Sequence, residues 1–306
     1  MRKLLLAVSG IVLFCGHQAA YAASPDFSLK TGFRSDKLDW NIAGDSKGHN
    51  PNILSELTWE GIKIFEVTAG FKRDLNKKRY VRASLGYGWI NDGTNQDSDY
   101  KGDNRTQEYS RSNNDADEGH VWDLSFGIGQ KNEMSPDLSV NPVVGVSFHS
   151  QNLVIRNGYQ TVASIPDNTP PVGPIHNLNS KYRASWYGPW AGVDAKYGVS
   201  SLAFTATAEL HLARFLAEAD WNLRGDLNHP KSFEHTALGA GLSTEAGVEY
   251  AADENWTVTV DAEYGVWKAV NGRDRTFFRD GTVADTRLNA VNWSSFVFSV
   301  GARYSF

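Results

Sequence analysis

The chain has almost no cysteine. Its one thiol, Cys15, lies in the opening stretch MRKLLLAVSGIVLFCGHQAAYAASPD, and Phe14 before it is too bulky for a lipoprotein signal. Beyond that stretch there is no disulfide, no Cys-ligated metal and no thiol chemistry. A long apolar run is lacking too. Leu4 to Phe14 falls short of the ~18 residues that a helix needs to cross a bilayer, and no later stretch approaches that length. Arg2 and Lys3 precede this run and Ala20–Ala22 follow it, so residues 1–22 read as a secretory signal peptide and 23–306 as the mature chain. Basic excess is also missing. Without Arg2 and Lys3 the chain keeps 28 of its 30 Lys and Arg against 35 Asp and Glu, a net of −7, which argues against nucleic acid as a partner.

Enzymatic fingerprints are equally scarce. No G-x-S-x-G, P-loop or dinucleotide motif stands in context, so no cofactor is expected. His120, His149, His176 and His235 lie apart without ligand spacing. DSDYKGD and NNDADEG look like pieces of oxygen-rich calcium loops, but neither completes an EF-hand pattern. No metal site is expected.

What the chain does have is alternation with period 2. In SSFVFSVGARYSF, Phe296, Phe298, Val300, Ala302, Tyr304 and Phe306 share one face, with Val297, Ser299, Gly301, Arg303 and Ser305 on the other. Val81 to Trp89, Trp122 to Ile128 and Trp256 to Tyr264 repeat the pattern, with aromatics near the ends of each apolar face. Apolar-out, polar-in strands with aromatic girdles, behind a signal peptide and with ten Trp, predict an all-β, ten-stranded antiparallel transmembrane barrel. The strands fall near 27–42, 53–71, 80–90, 120–131, 139–155, 183–198, 202–221, 237–250, 256–267 and 295–306.

The intervening segments alternate in length. Residues 91–119, 156–182, 222–236 and 268–294 read as long external loops, 43–52 as a modest first external loop, and 72–79, 132–138, 199–201 and 251–255 as short periplasmic turns. The protein is therefore expected in a bacterial outer membrane, with loops outside and both termini periplasmic. Outer-membrane lipid and lipopolysaccharide follow as partners, with a surface protein or a small solute as the ligand class. Strand lengths predict a barrel projecting well beyond the bilayer, its outer half carrying the polar functional surface. Thirteen ionisable residues are expected to face the lumen: Lys30, Arg34, Arg82, Asp123, Asp194, Lys196, Glu209, His211, Glu245, Glu249, Asp261, Glu263 and Arg303. With both signs present, they predict a lumen closed by ion pairs and water rather than a wide channel.

Certain segments carry a family resemblance. SELTW (Ser55–Trp59), GYGW (Gly86–Trp89), QDSDY (Gln96–Tyr100), DLSFGIG (Asp123–Gly129) and EADWNLRGDLNHP (Glu218–Pro230) follow in an order similar to the omptins, ten-stranded outer-membrane aspartyl proteases. GDNRTQEYSRSNND (Gly102–Asp115) resembles a second group, the Protochlamydia-type outer-membrane proteins, described as porin-like. The omptin resemblance implies a D-x-D pair facing an Asp-His pair across the barrel mouth, the His taking a proton from water. Asp97 and Asp99 match the first half. Asp226 and His229 stand for the second, but with D-x-x-H spacing, and Asn228 occupies the expected acidic position.

Two functions follow. One is a non-enzymatic surface barrel, porin-like or adhesin-like. The other is an omptin-type endopeptidase using Asp97, Asp99, Asp226 and His229. A protease brings the Asp pair within about one water of His229. A non-protease leaves the groups apart, or tied up by Arg105 or Arg111.

Overall fold

A computed structural model describes residues 24–167 and 169–306, so the expected signal peptide lies outside the described residues. Ten strands account for most of them: β1 Asp26–Ile42, β2 Ser55–Asn76, β3 Arg79–Gly102, β4 Thr106–Gln130, β5 Leu138–Val162, β6 Gly173–Val199, β7 Leu202–Asp220, β8 Phe233–Ala251, β9 Trp256–Phe277 and β10 Val283–Ser305. Every neighbour is antiparallel, and β1 pairs with both β2 and β10, closing the ring. Both termini lie at the end with the tight turns, called here the turn end. The opposite, loop end carries residues 43–54, 103–105, 163–172, 221–232 and 278–282.

The outer wall shows why the strands alternate. Leu238 is 75% exposed, Phe33 73% and Leu212 69%. Side chains this apolar, ringed around a barrel, call for lipid rather than water. On β6 the outward face from Tyr187 to Tyr197 reads Tyr, Pro, Ala, Val, Ala, Tyr. That is ~33 Å along the strand and ~25 Å once tilted, the height of an apolar band. Tyr87 lies against Trp89 and Trp122, with ring centroids 4.7 and 4.6 Å away, at one rim. Phe27 meets Phe71 and Phe306 at the other.

Beyond the band the strands continue, which corrects two expectations. Residues 91–119 are not a long loop: β3 runs to Gly102, β4 starts at Thr106, and only Asp103–Arg105 turn between them. Likewise 156–182 and 268–294 shrink to 163–172 and 278–282. Outside the bilayer the outward face meets water, so polar residues can occupy it while the backbone ladder runs on. The apolar alternation that marks a lipid-facing strand is then absent.

The second correction concerns the interior. Even-numbered residues of β1 point inward throughout. Lys30 and Arg34 are charged, whereas Leu38 and Trp40, farther along, are 1% and 2% exposed. The outward residues change in the opposite sense, from Leu29 and Phe33 to Lys37 and Asp39. The strand keeps its pleat and inverts its polarity. Inside the loop-end half lies a dry core rather than a polar surface. Trp59 stacks on Tyr182 at 5.0 Å, Trp186 meets Phe215 at 4.6 Å and Trp267 stacks on Trp293 at 5.5 Å. Leu57, Ile62, Ile64, Leu153 and Leu288 fill the space between the rings.

Candidate functional site

Two sites flank that core. At the loop end, β2, β3 and β4 place the Asp pair. Residues directly opposite in a ladder share a face. Asp97 stands opposite Leu57, which is buried inside the barrel, and Asp99 stands opposite Ser55. Both carboxyls therefore point into the mouth, above the dry core. Burial and repulsion from Asp99 push the Asp97 carboxyl well above the usual carboxylate range, and Arg224 acts against the shift. Asp99 is raised by burial, opposed by the Ser55 and Ser110 hydroxyls and by Arg224. Nearby, Tyr109 is pushed up to about 12 by burial and then by the Asp99 charge.

Arg224 therefore faces the pair. It lies in the loop after β7 and is held by Asp226, to which it donates two hydrogen bonds of 2.9 and 2.7 Å. The residues expected to occupy the pair are engaged elsewhere: Arg105 with Glu56 and Arg111 with Glu108. Arg224 went unsingled in the sequence, although Arg224 and Asp226 form an R-x-D spacing that an extended loop can close into a two-point contact.

Asp226 and His229 do not pair. His229 Nδ1 lies 2.6 Å from the Asp220 carboxylate at the end of β7, and its Nε2 lies 3.3 Å from the Arg224 carbonyl oxygen. Both ring nitrogens thus face oxygen acceptors of the same loop region, Asp220 and Arg224. The guanidinium opposite the Asp pair cannot accept a proton. The structure brings Asp97 and Asp99 together, ties Asp226 to them through Arg224, and turns His229 toward Asp220. Beside this mouth, Tyr100, Tyr109, Leu54 and Pro51 line a shallow recess of about 340 Å³, walled by the Lys101–Asp167 ion pair at 2.5 Å.

The second site is the lumen at the turn end, a cavity of about 450 Å³ lined by all thirteen of the ionisable residues assigned inward. Arg34 contacts Asp36, Glu66 and Asp123 at 2.8, 3.0 and 2.6 Å. Arg82 reaches Glu209 at 2.6 Å, and Lys30 reaches Asp261 at 2.9 Å. Lys196 and Arg303 share Glu249. Trp267, Trp293 and His149 close the cavity where the dry core begins. No group of His, Cys, Asp and Glu among the described residues is arranged to hold a metal.

The family model described as Protochlamydia outer membrane protein matches residues 28–306. No curated protein sequence matches the chain. Among solved structures, the chain is similar to the outer membrane protease OmpT from Escherichia coli, with a TM-score of 0.76 at 13% identity, covering 94% of this chain and 99% of that one. The translocator domain of the autotransporter NalP from Neisseria meningitidis aligns with a TM-score of 0.36 at 11% identity, over 95% and 90% of the two chains. OprG from Pseudomonas aeruginosa gives 0.34 at 9%, over 93% and 97%. At 13% identity the first of these speaks to the fold alone.

Proposed function

The chain belongs to the Protochlamydia outer membrane protein family, and from that premise we propose that this outer-membrane barrel is a closed, non-enzymatic surface protein whose loop end binds another molecule outside the cell. One observation carries the reading: the bore is blocked by a dry aromatic core, with Trp59 and Tyr182 each 0% and Trp186 1% exposed. Of the two non-enzymatic readings, that core favours an interaction barrel over a pore. The loop tips supply apolar contact points, Ile165 at 97% exposure and Val172 at 61%. A protein partner suits such scattered apolar tips beside the tyrosine-lined recess.

The orientation proposed is loops outside and termini in the periplasm, with residues 1–22 removed as a signal peptide. An even number of strands and tight turns at the terminal end support it. Lipopolysaccharide is proposed as the lipid partner at the outer rim. Lys181, Arg214 and Lys268 point outward on the loop-end half of the barrel and offer cations to anionic headgroups. Planar-bilayer recording on the refolded protein tests the closed state. A silent membrane is expected, and unitary conductance steps at modest voltage would overturn the proposal.

One observation favours the omptin-type endopeptidase as a second reading. Asp97 and Asp99 share the mouth, and His229 does have an aspartate at 2.6 Å. In that reading Asp220 orients His229, Asp226 restrains Arg224, and the loop must swing Arg224 away before Asp97, Asp99 and His229 can hold one water. Protein refolded with lipopolysaccharide and offered a peptide library decides: cleavage abolished by Asp97→Ala supports the protease, and no cleavage removes it.

A further inference from the structure

The turn-end cavity is built for more than filling space. It enters between Asp26, Lys72 and Arg303 and ends blind against Trp267 and Trp293. Asp26 and Arg34 both line it, so its depth is ~20 Å, from eight residue steps of about 3.3 Å on a strand tilted near 40°. Nine Asp and Glu line it against six Lys and Arg. The cations are already committed. Arg34, Arg82, Lys30, Lys196 and Arg303 each sit within 3.3 Å of a carboxylate, and Lys72 lies 4.6 Å from the Tyr80 ring. An anion would have to displace those pairs. A cation would not.

The surplus is localised. Glu263 on β9 stands directly opposite Glu245 on β8. Like charges at opposed positions repel. Glu245 has Lys30 at 3.3 Å. Glu263 forms no ion pair among the described residues, and its one hydrogen bond comes from the Ser243 hydroxyl at 3.1 Å. Two residues farther along the same inward face, Gly265 leaves space beneath Trp267. Four residues back on that face, Thr259 is 4% exposed and lines the cavity with a hydroxyl that has no hydrogen-bond partner.

We propose that this cavity binds a linear aliphatic di- or polyamine, threaded from the turn end, with one ammonium between Glu263 and Glu245. The carboxylates are strung along the bore rather than gathered around one point, which suits spaced ammonium groups and not a metal ion. A narrow blind bore suits an unbranched chain. Ammonium hydrogens fill the acceptor positions that the wall leaves open. The proposal is independent of what the loop end does.

The test is calorimetric titration of the full chain, refolded in detergent, with spermidine. Saturable binding that weakens as salt rises is expected. Glu263→Gln should raise Kd about tenfold, the loss of one charge-assisted hydrogen bond. Gly265→Leu should abolish binding by filling the bore. A Cβ there meets nothing nearer than Trp267 Nε1 at 3.5 Å, so the wall admits the first carbon of the new side chain without a clash. Asp97→Asn, at the far end, should bind as the parent does. Retained heat-modifiable migration on gels confirms that each variant is folded. Three results would overturn the proposal: no saturable binding, an unchanged Kd in Glu263→Gln (as follows if that carboxyl simply keeps its proton), or magnesium binding as tightly as spermidine.

Discussion

Replacing Trp186 tests whether the bore is dry. The ring is 1% exposed and touches Phe215, Trp267 and Trp293 at centroid distances of 4.6, 5.8 and 6.4 Å. A buried indole removes about 200 Å² from water, worth roughly 5 kcal/mol at about 25 cal/mol/Å², an upper bound because the unfolded chain already hides part of that area. Against this, the Trp186 Nε1 has no hydrogen-bond partner. An unsatisfied buried donor costs about 1–3 kcal/mol, so its removal returns some stability. Trp186→Ala should therefore destabilise the refolded barrel by about 3 kcal/mol. Trp186→Phe, which discards the donor but keeps most of the ring, should cost less than about 1.5 kcal/mol. Denaturant unfolding in detergent, followed by tryptophan fluorescence, measures both. An alanine variant within about 0.5 kcal/mol of the parent would mean that the space is wet and the closed-barrel argument is wrong.

Other expectations rest on the ion pairs and the mouth. Arg34→Met strands Asp36, Glu66 and Asp123 without their shared cation and should cost about 3–5 kcal/mol or prevent refolding; gel mobility after heating reports it, and a normally folded barrel would refute the pairing. Asp97 is raised in the folded state, so its contribution to stability is present below its unfolded pKa and is lost as pH rises through the folded value. The unfolding midpoint should therefore fall as pH is raised from about 4, and Asp97→Asn should flatten that dependence. Arg224→Ala removes the charge opposing the Asp97 shift and should steepen it; an unchanged pH profile would show that Arg224 does not face the pair. Asp274→Ala leaves the fully buried His235 without its carboxylate 3.2 Å away and should destabilise by about 2–4 kcal/mol in the same unfolding assay.

The sequence disclosed whatever alternates against lipid. Strands such as Val81–Trp89 and Trp256–Tyr264 announce themselves because lipid demands an apolar residue at every second position. The charged partners of those positions then fall inside, and all of them line the lumen cavity. Where water replaces lipid, that demand lapses. In TNQDSDYKG the inward positions are Asn95, Asp97 and Asp99, and the outward ones are polar too, so the stretch reads as a loop although the backbone pairs through to Gly102. The mouth was half legible for a related reason. Asp97 and Asp99 are fixed by the ladder, and ladder position follows from counting. Arg224, Asp226 and His229 sit in a twelve-residue connection, 221–232, whose contacts depend on folding rather than spacing. The expected Asp226–His229 pair therefore gave way to Arg224–Asp226 and Asp220–His229.

The tryptophans show why the polarity inversion closes the bore. Ten Trp suggested interfacial girdles, yet Trp40, Trp59, Trp186, Trp190, Trp267 and Trp293 are each 5% exposed or less and point inward. Geometry explains the use. About eight strands enclose a space that ordinary side chains can fill. With ten strands the bore is wider, and aliphatic residues reaching in from the wall would leave a void at the axis. Indoles are long enough to meet there, as Trp267 and Trp293 do. In the bilayer-level half the same width is filled by Arg and Lys stems reaching across to carboxylates, an arrangement that tolerates water. Above it, where the outward face is already polar, ionic filling on both faces would leave the strands with nothing to bury, so the core moves inside. The mouth and the turn-end cavity thus become separate compartments divided by a close-packed wall. A ligand at one could influence the other only by repacking those rings. Substitutions at Asp97 and Glu263 should accordingly act additively, each without effect on what the other end binds.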